Sequence, residues 1–113
     1  MEKIYSELSK ADVLVIASPV YFYGISAELK AIVDRLHTPL RNTFPIKRLV
    51  LLLVGATEVP NLFDSIVVQY ESILKFFNLE DAGRILVNGV KDEGDIMGNK
   101  ALKEAYDLGA SIR

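Results

Sequence analysis

The chain has 113 residues, half of them hydrophobic and a quarter charged, and its net charge is −2. This length supports one domain with one hydrophobic core, residues 1–113, and the composition is typical of a packed globular protein. The small negative charge gives no electrostatic basis for binding nucleic acid, and the absence of cysteine excludes disulfides, thiolate metal sites and thiol catalysis by this chain.

The sequence gives no indication of a membrane segment. Its longest apolar runs, residues 13–17 and 49–54, are far shorter than the roughly 20 residues that span a bilayer. The opening Met1-Glu2-Lys3 does not lead into the apolar region of a signal peptide. We therefore expect a cytoplasmic protein with no membrane partner.

In the first half of the chain, a helix, a strand and a second helix are predicted. The opening residues place Ile4, Tyr5 and Leu8 on one side of a short helix. The run Val13–Ala17 is apolar at every position, which is typical of a strand buried on both faces. A second helix is expected to begin after Ser26, which is a favourable N-cap residue.

The second half repeats this alternation. A second buried strand is predicted at Leu49–Val54, and a third run at residues 84–90 has the polar interruptions of an outer strand. Between them, residues 62–77 carry apolar side chains at helical spacing, with Asn61 as the expected N-cap. A last helix is expected from about Asn99 to the end of the chain.

Strands that alternate with helices are typical of parallel sheets built from βαβ units. The sequence therefore predicts an α/β fold, with a parallel sheet of about three strands between helical layers. Ligands of such folds bind where the strands end, so the loops that leave the strands are the candidate sites.

The loop after the first strand, residues 18–26, reads SPVYFYGIS and contains three consecutive aromatic residues before a glycine. An aromatic cluster at this edge of a sheet can cover a flat heterocycle, and backbone amides near Gly24 can approach its polar rim. The alternative is that these aromatic side chains close the hydrophobic core or a subunit interface.

Residues 11–35, reading ADVLVIASPVYFYGISAELKAIVDR, resemble the flavodoxin-like NAD(P)H-dependent FMN reductases, including their iron–sulfur flavoprotein branch. The matching part of that family is its third strand, flavin-ring loop and following helix. The pattern S-P-V-Y-F-x-G-x-S-A-x-L-K is more specific than a lone glycine motif. The similarity continues more loosely through Gly55-Ala56-Thr57 to the terminal helix, residues 101–112.

The resemblance implies a flavodoxin-like three-layer α/β/α fold, FMN as cofactor and NAD(P)H as reductant. It implies that the flavin ring lies against two loops, formed by Pro19, Val20, Tyr21, Phe22 and Gly24 and, less specifically, by Gly55, Ala56 and Thr57. No catalytic acid or base is expected, because hydride transfer is the cofactor's own chemistry. No metal site is expected either, since the acidic cluster Asp92, Glu93 and Asp95 lacks calcium-loop spacing.

The sequence departs from this family at its beginning. Members of the family open with a central strand and a Ser/Thr/Gly-rich loop that binds the FMN phosphate, and neither is found here. We expect weak or no FMN binding by this chain. We expect reductase activity to be weak in the chain as it stands or to require a longer protein. The alternatives are a non-catalytic oligomerisation domain of the same architecture and, thirdly, an α/β module that binds another planar ligand.

The same departure predicts an exposed sheet edge. In the strand order of the family, the missing strand would lie beside Val13–Ala17, so this strand is expected at the edge of the sheet. A long apolar edge without a lysine, proline or bulge is a template for pairing with another chain. We therefore expect a homo-oligomer that forms through Val13–Ala17.

Overall fold

The computed structural model describes residues 1–112. Helices and parallel strands alternate along these residues, which confirms the predicted α/β class. The elements are α1 (Glu2–Leu8), β1 (Val13–Pro19), α2 (Ala27–Asp34), a 3₁₀ helix (Pro39–Thr43), β2 (Arg48–Val54), α3 (Asp64–Phe77), β3 (Glu80–Val87) and α4 (Lys100–Ser111).

The three strands form one parallel sheet in the order β1-β2-β3. Val13 pairs with Arg48 and Pro19 with Val54, so β1 and β2 are in register along their whole length. A bulge between Leu49 and Val50 shifts the pairing of β2 with β3. Within the described chain β1 and β3 are the two edge strands, as predicted for both.

The two faces of the sheet are covered by different helices. Alternate residues of β2, namely Leu49, Leu51 and Leu53, are 1% exposed and pack with Ile66 and Tyr70 of α3. Leu52 points to the opposite face, where it packs against the cluster that α4 contributes to. This alternation produces the three layers, because successive side chains of a strand point to opposite faces.

The second face is covered unevenly. Helix α4 packs on β3, and Gly83 permits their close approach. A Cβ added to Gly83 would lie only 2.7 Å from Leu108 Cδ1 of α4. Over β1 the same face remains open, and Val15 is 48% exposed although it lies in the middle of an apolar strand. An apolar strip on the surface of β1 therefore has no covering helix within residues 1–112.

The predicted helix starts are confirmed at two of three positions. Ser26 Oγ accepts a hydrogen bond of 3.1 Å from the N–H of Leu29, and Asn99 Oδ1 accepts one of 2.9 Å from the N–H of Ala101. The cap expected at Asn61 is wrong. The preceding residues form a turn closed by a bond from Leu62 N–H to Val59 O, so α3 begins only at Asp64.

The third strand is also shifted from its predicted bounds. It begins at Glu80, four residues before the predicted start at Arg84, and ends at Val87 instead of Val90. Its first half is polar and has little local strand character. Pairing with β2 extends the strand into this segment. The reason is that β2 provides hydrogen-bond partners for the backbone N–H and C=O groups of the segment, and these bonds do not depend on its side chains.

A polar cluster joins α3 to the start of β3. Tyr70 is 2% exposed, and its hydroxyl donates to Asp81 Oδ1 at 2.9 Å. Arg84 donates from Nη2 to Asp81 Oδ2 at 2.6 Å. Burial alone would raise the pKa of Asp81, but the hydrogen bonds from Arg84, Tyr70 and the N–H of Gly83 outweigh it and lower this pKa. Burial, assisted by the carboxylate, raises the pKa of Tyr70 well above its usual range.

Among residues 1–112, none of the helices combines the length and the apolar character that crossing a membrane requires.

Candidate functional site

The chain leaves β1 through a tight turn that carries the three aromatic residues. Tyr21 and Gly24 exchange two backbone hydrogen bonds, 2.8 Å from Tyr21 N–H to Gly24 O and 3.0 Å in the reverse direction. The two residues between them have positive φ, 47° at Phe22 and 67° at Tyr23. Residues 21–24, here called the aromatic hairpin, therefore have the backbone signature of a type I′ turn.

This turn holds its two central residues in an unfavourable conformation. The left-handed region costs a non-glycine L-residue roughly 1–2 kcal/mol, and type I′ turns favour Asn-Gly for this reason. Phe22 and Tyr23 have no such adaptation. Strained backbone of this kind is found preferentially at functional sites, which directs attention to the side chains that the turn presents.

The rings of the aromatic hairpin face solvent. Phe22 is 96% exposed, Tyr21 61% and Tyr23 44%, and the Phe22 and Tyr23 rings meet edge to face with their centroids 5.7 Å apart. These rings do not close the core of this chain, which was one alternative reading of the sequence. A flat ligand and a subunit interface remain the two possible uses of so much exposed aromatic surface.

Hydrogen bonds hold the aromatic hairpin at both ends. The buried hydroxyl of Ser18 accepts from the N–H of Ser26 at 3.0 Å and donates to Pro19 O at 2.7 Å. At the tip of the turn, Ser65 Oγ donates to Tyr23 O at 2.6 Å. Ser65 is not evident from the sequence, because it lies 42 residues from Tyr23 along the chain and no local pattern connects the two.

The hairpin also presents unused backbone donors. Within the described part of the chain, the N–H groups of Phe22 and Tyr23 have no hydrogen-bond partner. Gly24 does not have a positive φ, and a Cβ built on it would make only an ordinary contact, 3.7 Å from Tyr21 O. The amides that can reach a ligand are therefore those of the two strained aromatic residues.

The second predicted loop lies next to the first at the same edge of the sheet. The N–H of Val20 donates to Val54 O at 2.8 Å, just before Gly55. Gly55 itself is buried, and a Cβ added to it would lie 2.4 Å from Leu62 Cδ2, so it is a packing position. Ala56 and Thr57 are exposed and flank the edge that carries the aromatic hairpin.

Acidic residues line the rest of this edge. Glu58 packs against Gly89 of the following loop. A Cβ added to Gly89 would lie 3.1 Å from Glu58 Oε1. Further along, Asp95 Oδ2 accepts hydrogen bonds from the N–H groups of Asp92 and Lys91, at 2.8 and 3.0 Å, and these bonds lower the pKa of Asp95. The acidic cluster is thus organised as a turn, and the described residues contain no group of three or more ligands that could hold a metal ion.

Comparison with known proteins identifies the family. A sequence model described as "NADPH-dependent FMN reductase" matches residues 1–87, which contain all three strands, the aromatic hairpin and the second loop. The chain belongs to the NADPH-dependent FMN reductase family. This confirms the resemblance that residues 11–35 indicated.

Two curated relatives illustrate the range of this family. An FMN-dependent NADH:quinone oxidoreductase of Thiobacillus denitrificans is 33% identical, over 98% of this chain and 58% of its own length. An iron–sulfur flavoprotein of Methanocaldococcus jannaschii is 39% identical over 50% of this chain and 30% of its own length. The chain therefore spans little more than half the length of the first relative, and half of the chain matches less than a third of the second.

Solved structures of low sequence identity share the fold. An NAD(P)H:quinone oxidoreductase from Methanothermobacter marburgensis superposes with a TM-score of 0.74 at 20% identity, covering 96% of this chain and 59% of that one. An NADPH-quinone reductase from P. pentosaceus gives a TM-score of 0.71 at 18% identity, covering 99% and 74%. The fold is flavodoxin-like, as predicted, with a three-stranded parallel sheet within the described residues.

Proposed function

We propose that this chain is the flavin-ring-binding part of an NAD(P)H-dependent oxidoreductase and that FMN is its cofactor. The observation that carries this proposal is the strained turn that presents Phe22 and Tyr21 to solvent where β1 ends. Bound FMN supplies the hydride-transfer chemistry, so the protein's task is to orient the ring and set its polarity. Membership of the family and the similarity to an FMN-dependent NADH:quinone oxidoreductase support this assignment.

The residues of the two loops fit the ring of the cofactor. Phe22 and Tyr21 offer aromatic surface for stacking, and the unpaired N–H groups of Phe22 and Tyr23 offer donors for the polar rim of an isoalloxazine. Pro19 and Val20 bring the chain to this position, Gly24 closes the turn, and the exposed Ala56 and Thr57 border it from β2. Buried Gly55 supports the second loop by permitting its packing on Leu62.

The described residues do not offer a comparable fit for the FMN phosphate. Glu58, Asp92, Glu93 and Asp95 place negative charge at the edge where the strands end, which repels a phosphate dianion. Stacking of one aromatic ring contributes roughly 1–3 kcal/mol, by analogy with stacking on nucleobases. This is less than the approximately 4.1 kcal/mol that corresponds to a Kd of 1 mM, so we propose weak flavin binding by the isolated chain.

The isolated chain is therefore expected to bind FMN and riboflavin with nearly the same affinity, because only the ring makes productive contacts. The measurement is a pair of titrations followed by ¹H–¹⁵N NMR, in which the amide signals of Phe22 and Tyr23 should move with either flavin. FMN binding about tenfold tighter than riboflavin would contradict this, since it would require a phosphate site within the chain. Unmoved hairpin signals with both flavins would instead favour the assembly function below.

The second candidate is an oligomerisation domain that keeps the architecture of the family. It is favoured by the position of β1 at the edge of the sheet and by the 48% exposure of Val15 on its open face. We propose a homo-oligomer that forms through Val13–Ala17. Unpaired strand edges and uncovered apolar surface both promote association.

Replacing Val15 by lysine is expected to shift the protein from an oligomer towards its monomer mass of 12.6 kDa, because a charge on an edge strand opposes pairing. Size-exclusion chromatography with light scattering at low micromolar concentration measures this. Val68→Lys is the matched control, because Val68 is 64% exposed on α3, away from the β1 edge. A wild-type monomer, or dissociation caused by Val68→Lys alone, would show that β1 is not the interface.

A cytoplasmic location completes the proposal. It is supported by the absence of cysteine, since a chain without cysteine has none of the disulfides that are typical of oxidising compartments, and by a cofactor class that needs soluble NAD(P)H.

A further inference from the structure

A cavity lies at the end of the sheet where the strands begin, opposite the aromatic hairpin. Its volume is about 510 Å³, and its floor is formed by Leu14 and Leu49, which are neighbours across the start of β1 and β2. Ile73, Phe76 and Phe77 of α3 form one wall. Since the aromatic hairpin follows the other end of β1, this cavity is separate from the proposed flavin site.

The size of this cavity is within the range of ligand sites. Pockets for small molecules measure roughly 300–1,000 Å³ and combine apolar side chains with a few polar groups. Here Arg41 and Asn42 are the polar residues of the lining. A neighbouring groove of about 790 Å³ between α2 and α3 shares Leu36, Ile73, Phe76 and Phe77 with it. An elongated apolar ligand can therefore extend from the cavity into the groove.

One cation stands at the mouth of the cavity. Arg41 of the 3₁₀ helix donates from Nη1 to Thr38 O at 3.0 Å, and its Cζ lies 5.8 Å from the centre of the Phe76 ring. These two contacts orient the guanidinium, and Thr38 Oγ1 in turn accepts from the N–H of Leu40 at 3.3 Å. Within residues 1–112, no carboxylate forms an ion pair with Arg41.

We propose that this cavity binds a monocarboxylate with an apolar chain or ring. The apolar part fills the space over Leu14 and Leu49, and the carboxylate pairs with Arg41, whose planar fork matches two carboxylate oxygens. A cationic ligand would be repelled by the positive charge of the guanidinium. A neutral ligand of the same shape would leave the charge at the mouth unused. This proposal is independent of the flavin-binding function.

The test uses octanoate, octan-1-ol and octylamine as probes of one chain length and three head groups. Each is titrated into the full chain and followed by ¹H–¹⁵N NMR at Leu14, Leu49 and Ile73. Octanoate should move these signals with an affinity about tenfold higher than octan-1-ol, the change that one charge-assisted contact produces, and octylamine should not bind measurably. The amides of the aromatic hairpin should remain unchanged.

Variants at the mouth of the cavity separate the charge from the cavity itself. Arg41→Gln should lower the affinity for octanoate about tenfold, to that of octan-1-ol, and leave octan-1-ol binding unchanged. Lys47→Gln is the matched control, since Lys47 is exposed at the same edge but does not line this cavity, and it should bind octanoate like the wild type. Unmoved cavity signals, or octanoate binding that survives Arg41→Gln unchanged, would overturn the proposal.

Discussion

Phe22→Asn is expected to raise the free energy of unfolding by about 1 kcal/mol while abolishing measurable flavin binding. Phe22 has a φ of 47°, and this conformation costs most non-glycine residues roughly 1–2 kcal/mol. Asparagine adopts it readily, because its short polar side chain can hydrogen-bond locally. Thermal or urea unfolding measures the gain, and the flavin titration measures the loss.

The gain in stability should exceed any loss of packing. Phe22 is 96% exposed, so removal of its ring leaves no cavity, and Tyr23, which is 44% exposed, stays in place with its bond from Ser65 Oγ. Phe22→Ala is the matched control. It also removes the ring but leaves the strain of the positive φ, so it should lose flavin binding without the stability gain.

Two outcomes would contradict this account. A Phe22→Asn variant less stable than the wild type would show that the turn is not strained in solution. Flavin binding that survives Phe22→Ala would show that the ring of Phe22 is not the stacking surface.

Asp81→Asn is expected to lower the free energy of unfolding by about 2 kcal/mol at neutral pH. The carboxylate of Asp81 accepts from Tyr70, from the N–H of Gly83 and from two nitrogens of Arg84, and hydrogen bonds to charged groups contribute roughly 1.5–3 kcal/mol. Asparagine can still accept from Tyr70, but its amide places a donor against the guanidinium. Denaturant unfolding at pH 7 measures the difference.

The effect of this substitution should depend on pH in a defined direction. The pKa of Asp81 is lower in the folded chain than its ordinary value, so the folded state favours the ionised form. The resulting stabilisation is fully present above the unfolded pKa, which is about 3.9, and is lost as the pH falls through the folded pKa. The stability difference between wild type and Asp81→Asn should therefore be constant from about pH 6 to 8 and shrink below about pH 4.

Glu71→Gln is the matched control for this cluster. Glu71 also contacts Arg84, at 3.3 Å, but its side chain is 59% exposed, and exposed ion pairs contribute roughly 0–1 kcal/mol. It should cost far less than Asp81→Asn. Equal effects of the two substitutions would show that Arg84, and not its partly buried bond to Asp81, carries the stabilisation.

Local patterns predicted most of the elements because their signals are contained in short stretches. The apolar runs 13–17 and 49–54 marked β1 and β2, and the spacing of apolar residues marked α3. Ser26 was identified as a cap, and the last helix was expected from about Asn99, because the residues that start a helix act on a backbone N–H within three residues. The start of β3 at Glu80 was missed, since a polar segment becomes a strand there only by pairing with β2.

The candidate site was predicted in its composition but not in its geometry. The aromatic residues 21–23 and their family were evident from the sequence, whereas the positive φ of Phe22 and Tyr23 was not, because nothing in Tyr-Phe-Tyr-Gly favours a type I′ turn. That turn is held by Ser65, which follows the next strand. The cavity beside Arg41 likewise brings together the starts of two strands, the 3₁₀ helix and the end of α3.

The sequence by itself determined the α/β class, the order of the elements and the family, because hydrophobic periodicity and a continuous motif are properties of neighbouring residues. Only the tertiary structure decided which aromatic rings face solvent, that Gly55 packs on Leu62, that Ser65 holds the aromatic hairpin and that Tyr70 donates to Asp81. Each of these depends on how separate segments of the chain pack against one another, and contacts of that kind have no local signature.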